Sequence, residues 1–297
     1  MTRGLSIKVG SSSEVAIPIS EISHTPTRNL ITEKSFGKVT ETAIYGGGVV
    51  FTGSFGGAYR PYQYQDVLKS FMGGTLTSID AFTAAQTATL HMGDAYGNNF
   101  EYSSCAITSF ELNLAAGDYC KVTSNWVGTF ATNSGVTVLD TADYTKGIPI
   151  FYNAEIAGMK VKSLRLNMSR PFDQNNYIIG SEYLQDLVQS DSVTVSGSFT
   201  VSPKDYTLFN KIIATGDPNV TTPSTTNKNN VTVDGTVITL RTPDGTDTLQ
   251  TITITTLVLS DGSASANGAN EFEKTINFRV PVDNTTNKLM FSTPTNK

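Results

Sequence analysis

Charge is scarce in this 297-residue chain. Asp, Glu, Lys and Arg together make up 16 % of it, and the net charge is −5. Residues 1–144 carry 8 basic and 12 acidic groups, residues 145–297 carry 13 and 14, so the acid excess lies mostly in the first half. A protein that grips nucleic acid through its phosphates needs clustered Lys and Arg, and this balance argues against that class. Histidine is scarcer still. His24 and His91 have no Cys or His at ligand spacing, which argues against a structural zinc site. The single Trp disfavours a sugar cleft built on stacked aromatics. The N-terminus has no apolar stretch of signal-peptide length, and no run approaches the ~18 apolar residues of a membrane span. A soluble protein made in a cytoplasm, without membrane contact, is expected.

Catalytic signatures are missing as well. There is no GxSxG, HExxH, Walker or Rossmann pattern. Gly46-Gly47-Gly48 lies between strand-like segments and reads as a turn, not a phosphate cradle. Asp244-Gly245-Thr246-Asp247 lacks the bidentate Glu of a calcium loop and reads as a hairpin turn. Carboxylates are sparse and scattered, which gives a glycosidase little to work with. No catalytic, cofactor-binding or metal residue is expected. The two cysteines, Cys105 and Cys120, are expected as reduced thiols. A hairpin at residues 115–118 sets Cys120 opposite Asn113 and leaves Cys105 far along the ladder, opposite Gly128.

Thr, Ser, Asn and Gly fill the space that charge leaves, the mixture of β-strands and their turns. Alternation in KVKSLRLNMS and QTITITTLVL predicts antiparallel sheets with one packed and one wet face. A repeat also stands out. Residues 49–55 read VVFTGSF and residues 193–199 read VTVSGSF, sharing Gly53-Ser54-Phe55 and Gly197-Ser198-Phe199. Beyond each lies a proline, Pro61 and Pro203, then a short helical stripe. Val67, Leu68, Phe71 and Met72 have the same spacing as Leu208, Phe209, Ile212 and Ile213. Glycines stop both helices. The order continues through a strand–turn–strand unit to a last strand, where Trp126 aligns with Phe278. Ahead of each Gly-Ser-Phe, NLITEKSFGKVTETAIYGG aligns with NNYIIGSEYLQDLVQSD. Recurrence in order predicts an internal duplication: an all-β chain of two tandem antiparallel barrel or sandwich modules, residues 1–148 and 149–297, each with one short helix.

These segments resemble the tail tube proteins of tailed bacteriophages, in their larger form of about 300 residues. The resemblance is carried by GGVVFTGSFGGAYRPYQYQDVLKSFMGG, CAITSFELNLAAGDYCKVTSNWVGT and the stretch from Gly158 to Ile212, and covers roughly residues 20 to 282. In that family a Gly-Ser-Phe strand leads into a helix ending in Gly-Gly, here Asp66 to Gly74. A hairpin follows, here Ser109 to Gly128. The second half matches at Ser163, Leu164, Leu166, Gly180 and Gly197-Ser198-Phe199. Met168-Ser169-Arg170-Pro171 departs from the family's usual Asn-Asn and puts a local turn in doubt.

The resemblance implies a structural virion protein of the phage tail, stacked as rings into a conduit for genome ejection. DNA and a tape measure protein occupy its lumen transiently, and a sheath is an optional outer partner. The resemblance implies an acidic lumen wall that repels phosphates. Two modules per chain predict rings of three chains with pseudo-sixfold symmetry, with a hexamer as the alternative. The segment from Asn29 to Gly48, including Glu33, Lys34, Lys38 and Glu41, has little core of its own and is expected to reach an adjacent subunit. The rival reading is a tail-tip or host-adhesion module. Its ligand would need exposed aromatic clusters, which the polar loops DPNVTTPSTTNKNN and SDGSASANGANE do not offer.

Overall fold

A computed structural model describes residues 4–33, 43–76, 85–94, 96–133, 135–139, 147–153, 155–156, 159–201, 232–265, 273–282 and 288–296. Its described strands form one 16-stranded sheet, whose ladders are antiparallel. The chain begins with β1 (Gly4–Val9) and β2 (Val15–Ile17), then β3 (Glu21–Glu33) and β4 (Ala43–Ala58). Helix α1 (Gln65–Met72) follows, then β5 (Ala88–Gly93), β6 (Asn99–Ala115), β7 (Lys121–Gly128) and β8 (Phe130–Thr132). Next come β9 (Ile150–Asn153), β10 (Glu155–Ile156), β11 (Met159–Ser169) and β12 (Thr194–Val201). The chain closes with β13 (Thr232–Arg241), β14 (Thr248–Ser265), β15 (Glu273–Val280) and β16 (Leu289–Phe291).

Pairing recurs between the halves. In the first, β3 pairs with β4, β4 with β7, β7 with β6 and β6 with β5. In the second, β11 pairs with β12, β12 with β15, β15 with β14 and β14 with β13. The registers agree residue by residue. Gly53 faces Trp126, and Gly197 faces Phe278. Ile22 faces Phe55, and Leu164 faces Phe199. Ile107 faces Trp126 before a bulge at Thr108; Leu259 faces Phe278 before a bulge at Ser260. Such a bulge adds twist at the same point of each sheet.

The Gly-Ser-Phe triplets have a packing reason. A Cβ on Gly53 would stand 2.3 Å from the Ser23 carbonyl oxygen and 2.7 Å from the Trp126 ring. On Gly197 it would stand 2.3 Å from the Arg165 carbonyl oxygen and 2.5 Å from the Phe278 ring. Each glycine lets the cross-strand aromatic lie flat over its backbone. The serine points to the opposite face, and Phe55 and Phe199 return to the core, both buried.

Helix α1 lays Val67, Leu68, Phe71 and Met72 into that core, all fully buried. Gly73 ends it in the left-handed region at φ 92°, with its N–H donating to the Lys69 carbonyl at 3.0 Å. One hydrophobic cluster runs through both halves, from Leu5 and Trp126 to Phe199 and Phe291. The buried Tyr59 hydroxyl donates to Gln250 Oε1 at 2.6 Å, a polar tie between halves.

Two local expectations need correction. Gly46-Gly47-Gly48 is not a turn but lies within β4. Its glycines accommodate neighbours: a Cβ on Gly48 would stand 2.3 Å from the Tyr177 ring. The hairpin after β6 is also one residue longer than expected. Asn113 faces Lys121, not Cys120, because Tyr119 and Cys120 pair instead with the segment around Pro149 and Ile150. That slip turns Cys120 inward. Cys105 and Cys120 are free and buried, and burial pushes both thiols up, Cys120 to about 12.

If the rings press on these glycines, Gly53→Ala and Gly197→Ala should each destabilise the protein by about 1–3 kcal/mol in urea unfolding. Ser54→Ala, on the outward face of the same strand, should stay within about 0.5 kcal/mol. Equal tolerance at all three positions would contradict this packing.

Candidate functional site

The structural feature that asks for a function is a surface. Eight strands run side by side in the order β3-β4-β7-β6-β11-β12-β15-β14. Alternation puts their apolar residues on one face and polar residues on the other. One polar row reads Lys121, Asn113, Arg165, Ser198, Asn277, Asp261 across six strands. The next reads Thr123, Glu111, Asn167, Ser196, Arg279. Ser54, Asn125, Ser109 and Ser169 form a third. Hydroxyls and amides dominate this face, with isolated charges of both signs. The charges in the first two rows are Lys121, Arg165 and Arg279 beside Asp261 and Glu111.

The seam between halves is the β6–β11 ladder. It runs from Ser109↔Ser169 to Ala115↔Ser163 without interruption. Arg165 Nη2 donates to Glu111 Oε2 at 2.7 Å across it, and Asn113 Nδ2 donates to Glu111 Oε1 at 2.8 Å. Burial raises the Glu111 pKa, but these hydrogen bonds and the Arg165 charge outweigh it, and the carboxyl sits below its usual value. Beyond the ladder, the buried Arg170 donates through Nη1 to the Phe71 carbonyl at 2.8 Å and through Nε to Gln189 at 2.9 Å. A cation thus caps the last turn of α1, where the helix dipole favours it. The departure at Met168-Ser169-Arg170-Pro171 therefore carries a structural role that sequence pattern did not disclose.

After Arg170 the chain folds over the first half. Val49 N–H donates to the Glu182 carbonyl at 2.7 Å, Arg28 pairs with the Glu182 carboxylate at 2.9 Å, and Tyr183 stacks on Phe51. The corresponding connection of the first half, between β3 and β4, behaves differently. Its described strand ends, Asn29 to Glu33 and Ala43 to Gly46, extend the hairpin outward. Leu30, Ile31, Ile44 and Tyr45 stand 65, 60, 59 and 56 % exposed there. Asn29 and Glu33 lie on this arm; Lys34, Lys38 and Glu41 lie outside the described residues, as do Leu208, Phe209, Ile212 and Ile213.

Among the described residues, concavities of about 550 and 350 Å³ open on the polar face. They share one plan. Gly53, Ser54, Thr108 and Asn125 in the first match Gly197, Ser198, Ser260 and Asn277 in the second. Neither brings together an acid, a base and a nucleophile. His91 is held elsewhere, 2.6 Å from Glu14 and 3.1 Å from Glu101, stitching β5 to its neighbours. Among the described residues no three His, Cys, Asp or Glu side chains form a metal-binding group.

A bare polar sheet face, strand edges unpaired among the described residues and an apolar arm define a class: a structural β-protein made to assemble with copies of itself. The particular family follows from comparison. The model of the phage tail tube protein family matches residues 5–280, and the chain belongs to that family. A search of curated proteins gave no match. The chain is thus a structural component of the virion tail that self-assembles into a tube.

The seam yields a pH prediction. Glu111 has a lowered folded-state pKa, so its contribution is complete above the unfolded value, about 4.3, and is lost as pH falls through the folded value. Arg165 is 58 % exposed, so the term is small, below about 1 kcal/mol. Thermal melts of Glu111→Gln should lose less stability than wild type between about pH 5 and pH 3. Parallel acid limbs would show that the pair contributes nothing.

Proposed function

We propose that three copies form each ring of the tube, every chain supplying two modules, residues 1–148 and 149–297, to a pseudo-sixfold wall. The observation that carries this is the matched register of the halves: Gly53 over Trp126 and Gly197 over Phe278, with bulges at Thr108 and Ser260. One chain therefore holds two successive, equivalent segments of wall, and a closed ring needs half as many chains.

In this reading the polar face lines the lumen. Its Ser, Thr and Asn rows supply no cluster of Lys and Arg to hold a phosphate backbone, so DNA slides along it. Two of the isolated cations are balanced locally, Arg165 by Glu111 and Lys121 by Asp118. A tape measure protein fills the same channel before DNA does. The chain has no catalytic task, and it is made in the host cytoplasm before joining the tail. The arm from Asn29 to Gly48 docks on an adjacent copy and covers Leu30, Ile31, Ile44 and Tyr45, whose exposure is costly in an isolated chain.

Negative-stain microscopy of the purified protein, with end-on averages, tests the reading. Hollow rings or tubes of three lobes, each split in two, are expected. Six chains per ring would overturn the symmetry, and discrete particles without a lumen would overturn the conduit. Replacing residues 30–46 by a two-residue turn should leave the melting temperature near wild type and abolish long tubes. Normal tubes from that variant would refute the docking role of the arm.

A further inference from the structure

The halves also meet away from the eight-strand row. Strand β14 is long enough to serve two neighbours. Its part from Val258 to Ser265 pairs with β15 within the row, and its part from Ile252 to Ile254 pairs with β16, which lies off the row. From β16 a backbone bond reaches the first half: Phe291 N–H donates to the Leu76 carbonyl at 2.8 Å, just past α1. We propose that residues 288–296 are a clasp that fixes the angle between the two halves, and through it the curvature of the wall that each chain contributes. The clasp stands on the single chain; its effect on curvature rests on the tube reading.

The segment is anchored on two sides. Toward β14, Ser292 N–H donates to the Thr251 carbonyl at 2.8 Å, Thr251 N–H to Ser292 Oγ at 2.9 Å, and Thr295 N–H to the Leu249 carbonyl at 3.0 Å. Toward the first half, a relay runs from the Tyr59 hydroxyl to Gln250 Oε1 at 2.6 Å, and from Gln250 Nε2 to the Ser292 carbonyl at 3.0 Å. Tyr59 and Gln250 are buried, so each is costly to leave unmatched. Leu289 and Phe291 are buried in the same core as Leu76. The segment lies past residue 280, where the family match ends.

One ladder does not fix an angle. Adjacent strands of a sheet turn relative to one another by anything from about −10° to −35°, and the β6–β11 ladder alone leaves that range open. Other contacts between the halves start from strands of the row itself: Arg170 directly after β11, Glu182 on β4, and Pro149 against Cys120 just before β7. The clasp braces the halves from off the row. In a ring of three chains, a variation of about 10° at each internal seam would leave the ring misclosed by about 30°. A brace beside the hinge removes that freedom.

The test measures the angle between the halves. Spin labels on Lys8→Cys in the first half and Val237→Cys in the second, both exposed, report the distance across the halves by pulsed electron resonance in the dispersed chain. Cys105 and Cys120 are buried and stay unlabelled. The otherwise intact chain should give one narrow distance distribution. Deleting residues 288–297 should widen it at least about twofold. Tyr59→Phe with Gln250→Met, which replaces the relay by apolar groups of similar size, should widen it by a smaller factor and keep a cooperative melt. A label pair inside the first half, Lys8→Cys with Lys121→Cys, should stay narrow throughout. End-on averages should show rings of one diameter for the intact chain, and a spread of diameters or open arcs for the deletion. An unchanged distribution across the halves in both variants would overturn the clasp. If the control pair widens too, the deletion has unfolded, and an unchanged distribution in the relay variant alone overturns the clasp. Widened distances with rings of unchanged diameter would overturn the role in curvature and leave the tube reading standing. Intact chain that forms no hollow assembly would overturn the tube reading, while the distances still decide the clasp.

Discussion

Every strand of a sheet must find partners for its backbone N–H and C=O groups on both sides, and the rest of this structure depends on how that demand is met. Inside one chain it is met by the β6–β11 ladder, which joins two similarly paired halves into one continuous sheet. That ladder fixes where the polar rows run, because a slip of one residue would turn Leu112, Leu114, Leu164 and Leu166 out of the core. It also places Arg170 under α1 and directs the following segment across β4. An open sheet of this length in an isolated chain invites unplanned association, and Pro26 on the outermost strand limits it.

The polar face follows from the same ladder. Rows of Ser, Thr and Asn are what alternation leaves when every second residue is committed to the core. Charge on this face is sparse and partly neutralised, Glu111 by Arg165. In the proposed tube, a wall of hydroxyls and amides would neither attract a phosphate backbone nor repel it strongly, which suits a conduit for a polyanion.

Much of the fold is legible in the sequence because its signals are local. Alternation marks the strands, and the spacing of Val67, Leu68, Phe71 and Met72 marks the helix. Gly53 and Gly197 stand out because an aromatic needs a bare backbone beneath it, which makes the triplet recur. The misreadings have non-local causes. Gly46-Gly47-Gly48 looks like a turn until Tyr177, more than a hundred residues away, is seen lying on Gly48. Cys120 faces inward because a segment beyond the half boundary pairs with it, which no hairpin rule contains. Arg170 gives no sign of burial in sequence, because its partner is a helix carbonyl almost a hundred positions earlier. The arm from Asn29 looks polar by composition, yet its described strand ends present Leu30, Ile31, Ile44 and Tyr45 to solvent.

Among the described strands, the sheet of a single chain is open along β3 and along the end of β14, and the proposed ring closes it through assembly. Hydrogen–deuterium exchange, resolved by residue and compared between dispersed chains and assembled tubes, addresses it most directly. Outward amides on β3, such as His24, and on β14, such as Gly262, should exchange quickly in the dispersed chain and become strongly protected in the tube. Amides of the β6–β11 ladder should be protected in both states. Protection that appears elsewhere on assembly, while His24 and Gly262 continue to exchange freely, would contradict the claim.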